Sequence, residues 1–403
     1  MNWLIVEDAL RDRKGHWCEY LGTFARELRA LGDGVTILAD RAAEPFLIEQ
    51  LQVQPVLPPS IWHRMGDGAG VVRRSLRVPV HAWQTYRALK KYLRAGDPFD
   101  VIFVPTVLVH HLLGWTWLIK RAWKKRPGRV ILFFPNTPVQ LNLQNNEPAW
   151  QPAPTARLFC RLIRALREEV GNGRVILGAE TEPMRAALTA LTGVPFTYFP
   201  HPVVPSPAGA ANAGRPPGDA LTMASYGGAR HEKGCDVLVA AVGEYCRRHP
   251  ESRTRFILQN VEGDRQLWDP LNAQARVRLI SHYFADGEYA RRLCETDVML
   301  LPYRRSSYGL RVSRVVIEAM VRGICVVTTR GTTLAQQADE FGTGTFCQDE
   351  DAESLVAAIE TAERNFAALA AIGRQRQAGA QEHFSVAHFR DLLLAGAAKL
   401  DRN

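Results

Sequence analysis

The sequence predicts an α/β protein of two parallel-sheet domains. Three observations carry that expectation: a length beyond one core, apolar runs that alternate between strand and helix periods, and one proline-rich break. At 403 residues the chain exceeds what a single hydrophobic core usually organises. In the first half, short apolar runs at 3–6, 35–38, 101–104, 130–134, 175–177 and 197–199 read as buried strands, and 19–30 has apolar residues at helical spacing. Strand, helix, strand is the rhythm of βαβ units. From 203 to 220 four prolines stand among Ala, Gly and Ser without periodicity, which is linker composition. The rhythm restarts with a strand at 221–226, a helix at 235–248, a strand at 255–259 and a helix around 286–293. A strand at 298–301, a helix at 315–322, a strand at 325–328 and a final helix from 386 complete it. The expected division is 1–202, a linker at 203–220, a second domain at 221–385, and a terminal helix at 386–403 packing back on the first domain.

Composition excludes several classes. Hydrophobic residues make up 46% and charged residues 23%, which argues against long disorder or a fibrous repeat. Against 41 Asp and Glu stand 50 Lys and Arg, and the net charge of +9 favours anionic partners such as nucleotides or anionic lipid. Seven scattered cysteines form neither a CxxC zinc motif nor a readable disulfide framework. Glu7 and Asp8 interrupt the first apolar run, so a signal-peptide core is not expected there and a cytoplasmic chain is. The longest membrane-like run, 107–119, is only 13 residues and contains His110 and His111, short of the roughly 20 that cross a bilayer.

Chemistry concentrates after strands of the second domain. The first motif there reads Gly227-Gly228-Ala229-Arg230-His231-Glu232-Lys233-Gly234. Glycines let the backbone approach a ligand, the helix start that follows favours anions, and Arg230 and Lys233 supply two cations for a diphosphate, so that the loop resembles the pyrophosphate cradle of a nucleotide-sugar site. The same residues would also make an ordinary turn with solvated charges. It is not a Walker A loop, whose GxxxxGK[ST] spacing is absent.

The second motif runs through Tyr308, Arg311 and Ser313 to Glu318-Ala319-Met320 and Gly323-Ile324-Cys325-Val326-Val327. With the Glu232-Lys233-Gly234 loop, these residues resemble the retaining glycosyltransferases of family 4, the glycosyl transferases group 1. The resemblance covers most of 221–390 and implies the GT-B fold, two Rossmann-like domains facing across a cleft. It implies that Arg230, Lys233 and Glu318 are the catalytic set, Glu318 accepting hydrogen bonds from the donor ribose. Gly227, Gly228, Tyr308, Arg311 and Ser313 would bind the donor, and Gly15, His16 and Asn136 would lie on the acceptor side. A helical carboxylate paired with a neighbouring Arg is the plainer reading of Glu318.

The chain departs from the family pattern in two places. Leu310 stands where the signature has its first glutamate, although a family variant with Tyr-x-x-Arg-x-Ser matches Tyr308, Arg311 and Ser313. Pro135-Asn136-Thr137-Pro138 replaces a usual histidine; Asn136 can hydrogen-bond a sugar hydroxyl but carries no proton. His110 and His111 are alternatives for that role, with packing at a helix start as their other reading.

Two further stretches have competing readings. Asp349-Glu350-Asp351 imitates a metal-holding DxD, but it immediately precedes an apolar-periodic run, where acids cap helices. Trp115, Trp117 and Trp123 share a segment with Lys120, Arg121, Lys124, Lys125 and Arg126, which suits an anionic membrane surface or a core helix with a basic end.

The resulting expectation is a cytoplasmic, metal-independent retaining glycosyltransferase, with a peripheral place at the inner face of the membrane left open. Its partners would be a nucleotide sugar and a glycan or lipid-linked acceptor; no nucleic acid and no cofactor are expected. A catalytically weak nucleotide-sugar-binding homologue acting as a partner subunit is the alternative. A dinucleotide-dependent oxidoreductase is disfavoured, because no GxGxxG follows a strand.

Overall fold

A computed structural model describes residues 1–12, 17–60, 71–96, 98–122, 128–203, 220–285 and 287–400. The chain divides into two compact units. Unit 1 comprises Met1–Gln140, Pro148–Pro202 and Val386–Asn403, and unit 2 comprises Leu141–Glu147 and Val203–Ser385. The expected linker lies almost wholly outside the described residues, and so do Trp123, Lys124, Lys125 and Arg126.

Unit 1 is built on a seven-stranded parallel sheet. Its strands are β1 (Asn2–Val6), β2 (Gly34–Asp40), β3 (Val53–Leu57), β4 (Val101–Val104), β5 (Arg129–Phe133), β8 (Val175–Ala179) and β9 (Thr197–Tyr198). A separate two-stranded ribbon is formed by β6 (Val139–Asn142) and β7 (Glu147–Trp150). The seven strands lie in the order β3-β2-β1-β4-β5-β8-β9. Strands buried on both faces read as continuous apolar runs, which is why Trp3, Leu4, Ile5 and Val6 are all in the core. β3 was not anticipated; Pro55 interrupts its pattern, and the sheet tolerates Pro there because β3 is an edge.

The terminal helix Val386–Leu400 belongs to unit 1. Phe389 packs edge-on to Phe24 and Phe133 and against Phe103 and Phe199, with ring centroids 5.3–6.0 Å apart. Arg390 donates from Nε to Asp33 Oδ2 at 2.6 Å, and Trp3 Nε1 donates to the same oxygen at 3.1 Å.

Unit 2 holds a six-stranded parallel sheet. Its strands are β10 (Thr222–Ser225), β11 (Arg255–Gln259), β12 (Val277–Ile280), β13 (Val298–Leu301), β14 (Cys325–Thr329) and β15 (Gly344–Cys347), in the order β12-β11-β10-β13-β14-β15. The helices Cys235–Arg248 and Ala352–Arg364 pack their apolar residues on one face of this sheet, around Met223, Phe256, Val298 and Cys325. Residues of Arg314–Met320 and Thr333–Phe341 cover the other, around Ala224, Met299 and Val326. Both units are thus Rossmann-like. In each the chain reverses direction across the sheet between its first strand and the fourth, between β1 and β4 in unit 1 and between β10 and β13 in unit 2. Such switch points, at the carboxyl ends of the strands, are where open α/β sheets bind ligands.

Candidate active site

The switch point of unit 2 gathers the motifs. After β10 the chain turns at Gly227, whose φ is 102°, a conformation that a side chain rarely adopts. Its N–H donates to Gln259 Oε1 at 2.7 Å, and Gln259 Nε2 donates to the His282 carbonyl at 2.8 Å, so the loop is anchored to the end of β11. A single 3₁₀ turn, His231–Lys233, leads into the helix Cys235–Arg248 through Gly234. Gly234 also has positive φ, and a Cβ there would sit 2.1 Å from the Pro302 carbonyl oxygen. Glycine therefore lets the loop close against the segment after β13.

Lys233 is turned inward by that geometry. A Cβ on Gly227 would lie 2.7 Å from Lys233 Nζ, and Nζ stands 5.5 Å from the centre of the Tyr303 ring. Burial pulls the Lys233 pKa down, although the Tyr308 side chain opposes the shift. Among the described residues the half-buried ammonium makes no ion pair, which leaves it free to meet an anionic ligand. Arg230 differs. It is exposed and pairs with Glu232 at 3.1 Å.

Three residues that sequence reasoning missed build the walls. Arg304, buried after β13, donates from Nε to the His231 carbonyl at 2.8 Å and from Nη2 to Asp236 Oδ2 at 2.6 Å, and its Nη1 pairs with Glu350. This cation ties the 3₁₀ turn to the helix and holds the loop's shape. Glu262, at the end of the β11 segment, has its carboxylate where a Cβ on Gly228 would be, 2.3 Å away, and accepts from Tyr283 at 2.6 Å. Tyr303 lies under Lys233 with Tyr308 beside it, ring centroids 4.6 Å apart, and Arg311 stands over Tyr308 at 5.2 Å. Their common sequence signal is position: each follows a strand end or flanks a residue already singled out.

Glu318 lies in the short helix Arg314–Met320 and is buried. Oε1 accepts from Arg314 Nε at 2.8 Å and Oε2 accepts from the Tyr289 hydroxyl at 2.5 Å. The plainer expectation, a carboxylate paired with a neighbouring Arg, is therefore met. A carboxylate has about four lone-pair sites, so two bonds leave it able to accept more. Ser313 precedes this helix and is buried, but its side chain makes no capping hydrogen bond. Thr333 donates to the Tyr308 carbonyl at 3.1 Å and also to that of Arg311, fixing the segment that holds Tyr308, Arg311 and Ser313. Leu310 is buried.

The acidic triplet is committed elsewhere. Asp351 caps the helix Ala352–Arg364, accepting from the Ser354 N–H at 2.9 Å, Asp349 accepts from the Arg305 N–H at 3.2 Å, and Glu350 neutralises Arg304. A cavity of about 460 Å³ bordered by Thr222, Arg255, Val277 and Cys294 opens at the amino ends of the strands, away from these motifs.

The acceptor-side expectations belong to unit 1. Asn136 is exposed after β5, whereas Gly15 and His16 lie outside the described residues. His110 and His111 are buried beside Asp8, not exposed to a sugar. In the helix Val109–Arg121, Trp115 is buried, Trp117 meets Trp83 edge-on at 6.3 Å, and Lys120 pairs with Glu169 at 2.8 Å. No helix among the described residues is long and apolar enough to cross a membrane.

Residues 220–365 match the family model described as Glycosyl transferases group 1. No curated protein matches the sequence. Solved structures do. The Anabaena protein HepE in complex with UDP and glucose is 14% identical with a TM-score of 0.65, covering 99% of each chain. Sucrose-phosphate synthase from Thermosynechococcus elongatus is 17% identical with a TM-score of 0.62, covering 100% of this chain and 98% of its own. A UDP-forming alpha,alpha-trehalose-phosphate synthase from Burkholderia xenovorans is 12% identical with a TM-score of 0.66, covering 99% of each. The fold they share with this chain is GT-B, two Rossmann-like domains in one polypeptide.

Proposed function

With a glycosyl transferases group 1 domain at 220–365 as the premise, we propose that this protein is a retaining glycosyltransferase of family 4 that moves a sugar from a nucleotide diphosphate sugar to a hydroxyl acceptor. The observation that carries the proposal is Lys233, a half-buried, inward-turned ammonium without an ion-pair partner among the described residues, at the switch point of unit 2. When the glycosidic bond breaks, charge develops on the leaving diphosphate. A fixed cation beside it stabilises the transition state more than the ground state. Lys233 takes that role, with Arg230 at the mouth of the loop, and Gly227 and Gly228 admit the phosphates to the backbone. Tyr308, Arg311 and Ser313 line the donor sugar and its phosphate, and Glu318 accepts the ribose hydroxyls on its remaining lone pairs. The diphosphate itself serves as the base for the incoming hydroxyl, so neither a metal at the diphosphate nor a carboxylate pair is required.

Among the similar structures, HepE is in complex with UDP and glucose and the Burkholderia synthase is UDP-forming, which makes uridine donors the first to try. For the acceptor we propose a glycan or a lipid-linked glycan, with Asn136 on the acceptor side. A membrane position for unit 1 draws on Val80 and Trp83, both about half exposed on one helix. The deciding experiment is a transfer and hydrolysis assay over a panel of nucleotide sugars, with donor binding followed by thermal shift. Binding without turnover across donors and acceptors would replace this reading by that of a nucleotide-sugar-binding partner subunit.

A further inference from the structure

The switch point of unit 1 carries a different group of side chains. Asp8 follows β1, His81 lies on the helix Val71–Ala95, and His110 and His111 open the helix Val109–Arg121. All four are buried, and one ligand-type atom from each falls within 4.8 Å of the others. His111 is fully engaged: its Nε2 lies 2.9 Å from Asp8 Oδ2, and its Nδ1 accepts the Leu108 N–H at 3.3 Å, so in the neutral ring Nε2 carries the proton and donates to the carboxylate.

The other atoms complete no hydrogen bond. Asp8 Oδ1, both ring nitrogens of His81 and Nε2 of His110 are buried without a hydrogen-bond partner. His81 Nε2 lies 3.1 Å from Asp8 Oδ2 yet completes no hydrogen bond there. The His81 and His110 rings stand edge to face with centroids 5.1 Å apart. Buried polar atoms are almost always satisfied, and a cluster of exceptions on one carboxylate and two imidazoles calls for a ligand that accepts lone pairs.

We propose that Asp8, His81 and His110 form a binding site for one divalent transition-metal ion of the zinc class. Two neutral imidazoles and a carboxylate are donors that suit Zn²⁺, and three protein ligands with an open fourth position is the arrangement of reactive zinc sites rather than structural ones. His111 is a positioning residue: its Nε2–H orients the Asp8 carboxylate, as outer-shell partners of metal ligands do. The site is distinct from the diphosphate cradle, which is in unit 2, and stands or falls without it.

The test uses the full chain, untagged, stripped with chelator and then titrated with Zn²⁺ by calorimetry and with Co²⁺ by visible absorption. One ion per chain and the visible bands of low-coordinate Co²⁺ are expected. His81→Gln and His110→Gln should each weaken Zn²⁺ binding by about 100-fold or more, and His111→Gln by about 10- to 100-fold. His282→Gln, at an exposed site in unit 2, should leave it unchanged. Circular dichroism verifies that each variant is folded, and the wild-type Co²⁺ spectrum decides the matter if a variant is not. Folded wild-type protein that binds neither ion would overturn the proposal. So would thiolate charge-transfer absorption, which would assign the ion to cysteine, or undiminished binding in a folded His81→Gln, His110→Gln double variant.

Discussion

The two Rossmann-like units share the order of their first strands, yet the carboxyl ends of those strands carry opposite chemistry. After β10 come two glycines and a loop that places the inward Lys233 and the outward Arg230. After β1 come Glu7 and Asp8, both buried, with three imidazoles closing over Asp8. One switch point offers bare backbone and positive charge, which suits a diphosphate. The other offers lone pairs without partners, which suits a cation. Topology therefore fixes where a ligand is met, while the first few residues beyond the strand fix its sign.

The largest expected effect breaks the unit 2 half of this contrast. Lys233→Ala removes a charge-assisted contact worth about 1.5–3 kcal/mol, so transfer should fall about 10- to 150-fold in a protein of unchanged melting temperature. Steady-state kinetics on the best donor of the panel measure it. Unchanged turnover would mean that the cradle holds no diphosphate.

A second expectation separates the units by acid. Asp33 belongs to unit 1, and its hydrogen bond from Arg390 lowers its pKa to about 2 from an ordinary 3.8. A depressed carboxyl stabilises the fold above its unfolded pKa and loses that contribution as pH falls through the folded value. Unit 1 should therefore lose up to about 2 kcal/mol between about pH 4 and pH 2. Hydrogen exchange followed unit by unit should show Val386–Leu400 opening first in that window. Asp33→Asn should flatten the dependence, and equal loosening of unit 2 would refute its assignment to this pair.

Much of this was legible in the sequence because fully buried parallel strands are near-continuous apolar runs. β1, β4, β11 and β13 announce themselves that way. β3 and β15 do not, since Pro55 breaks one and Gly344 opens the other. In the candidate site the glycines and Lys233 could be read because they are contiguous. Arg304 could not be paired with Asp236 and Glu350, nor His81 with Asp8, because folding brings together residues that are far apart in the chain. His110 and His111 stood open between a sugar-facing role and packing at a helix start, and their burial beside Asp8, which decides it, is not visible in the sequence.

Glu318→Gln should have a smaller effect. The amide keeps the side chain's shape and some hydrogen bonds but gives up the charge that strengthens them, a difference of about 1 kcal/mol, so donor affinity should weaken about fivefold. Donor titration by calorimetry tests this. An unchanged dissociation constant would leave Glu318 as the partner of Arg314 and Tyr289 alone.

The smallest effect is expected at Asp349, and it guards the contrast between the units. If the diphosphate is neutralised by Lys233 and Arg230, the acidic triplet has no metal to hold there, and its work is local. Asp349 accepts the Arg305 N–H through Oδ1, a bond that an asparagine carbonyl oxygen can also accept. Asp349→Asn should accordingly keep transfer within about twofold, because one neutral hydrogen bond replaces one charged one at a half-buried site. The measurement is the same kinetic assay, run with and without added Mg²⁺ and Mn²⁺. A large loss restored by either ion would place a metal beside the diphosphate after all, and the two switch points would then differ in which residues hold a cation rather than in whether they do.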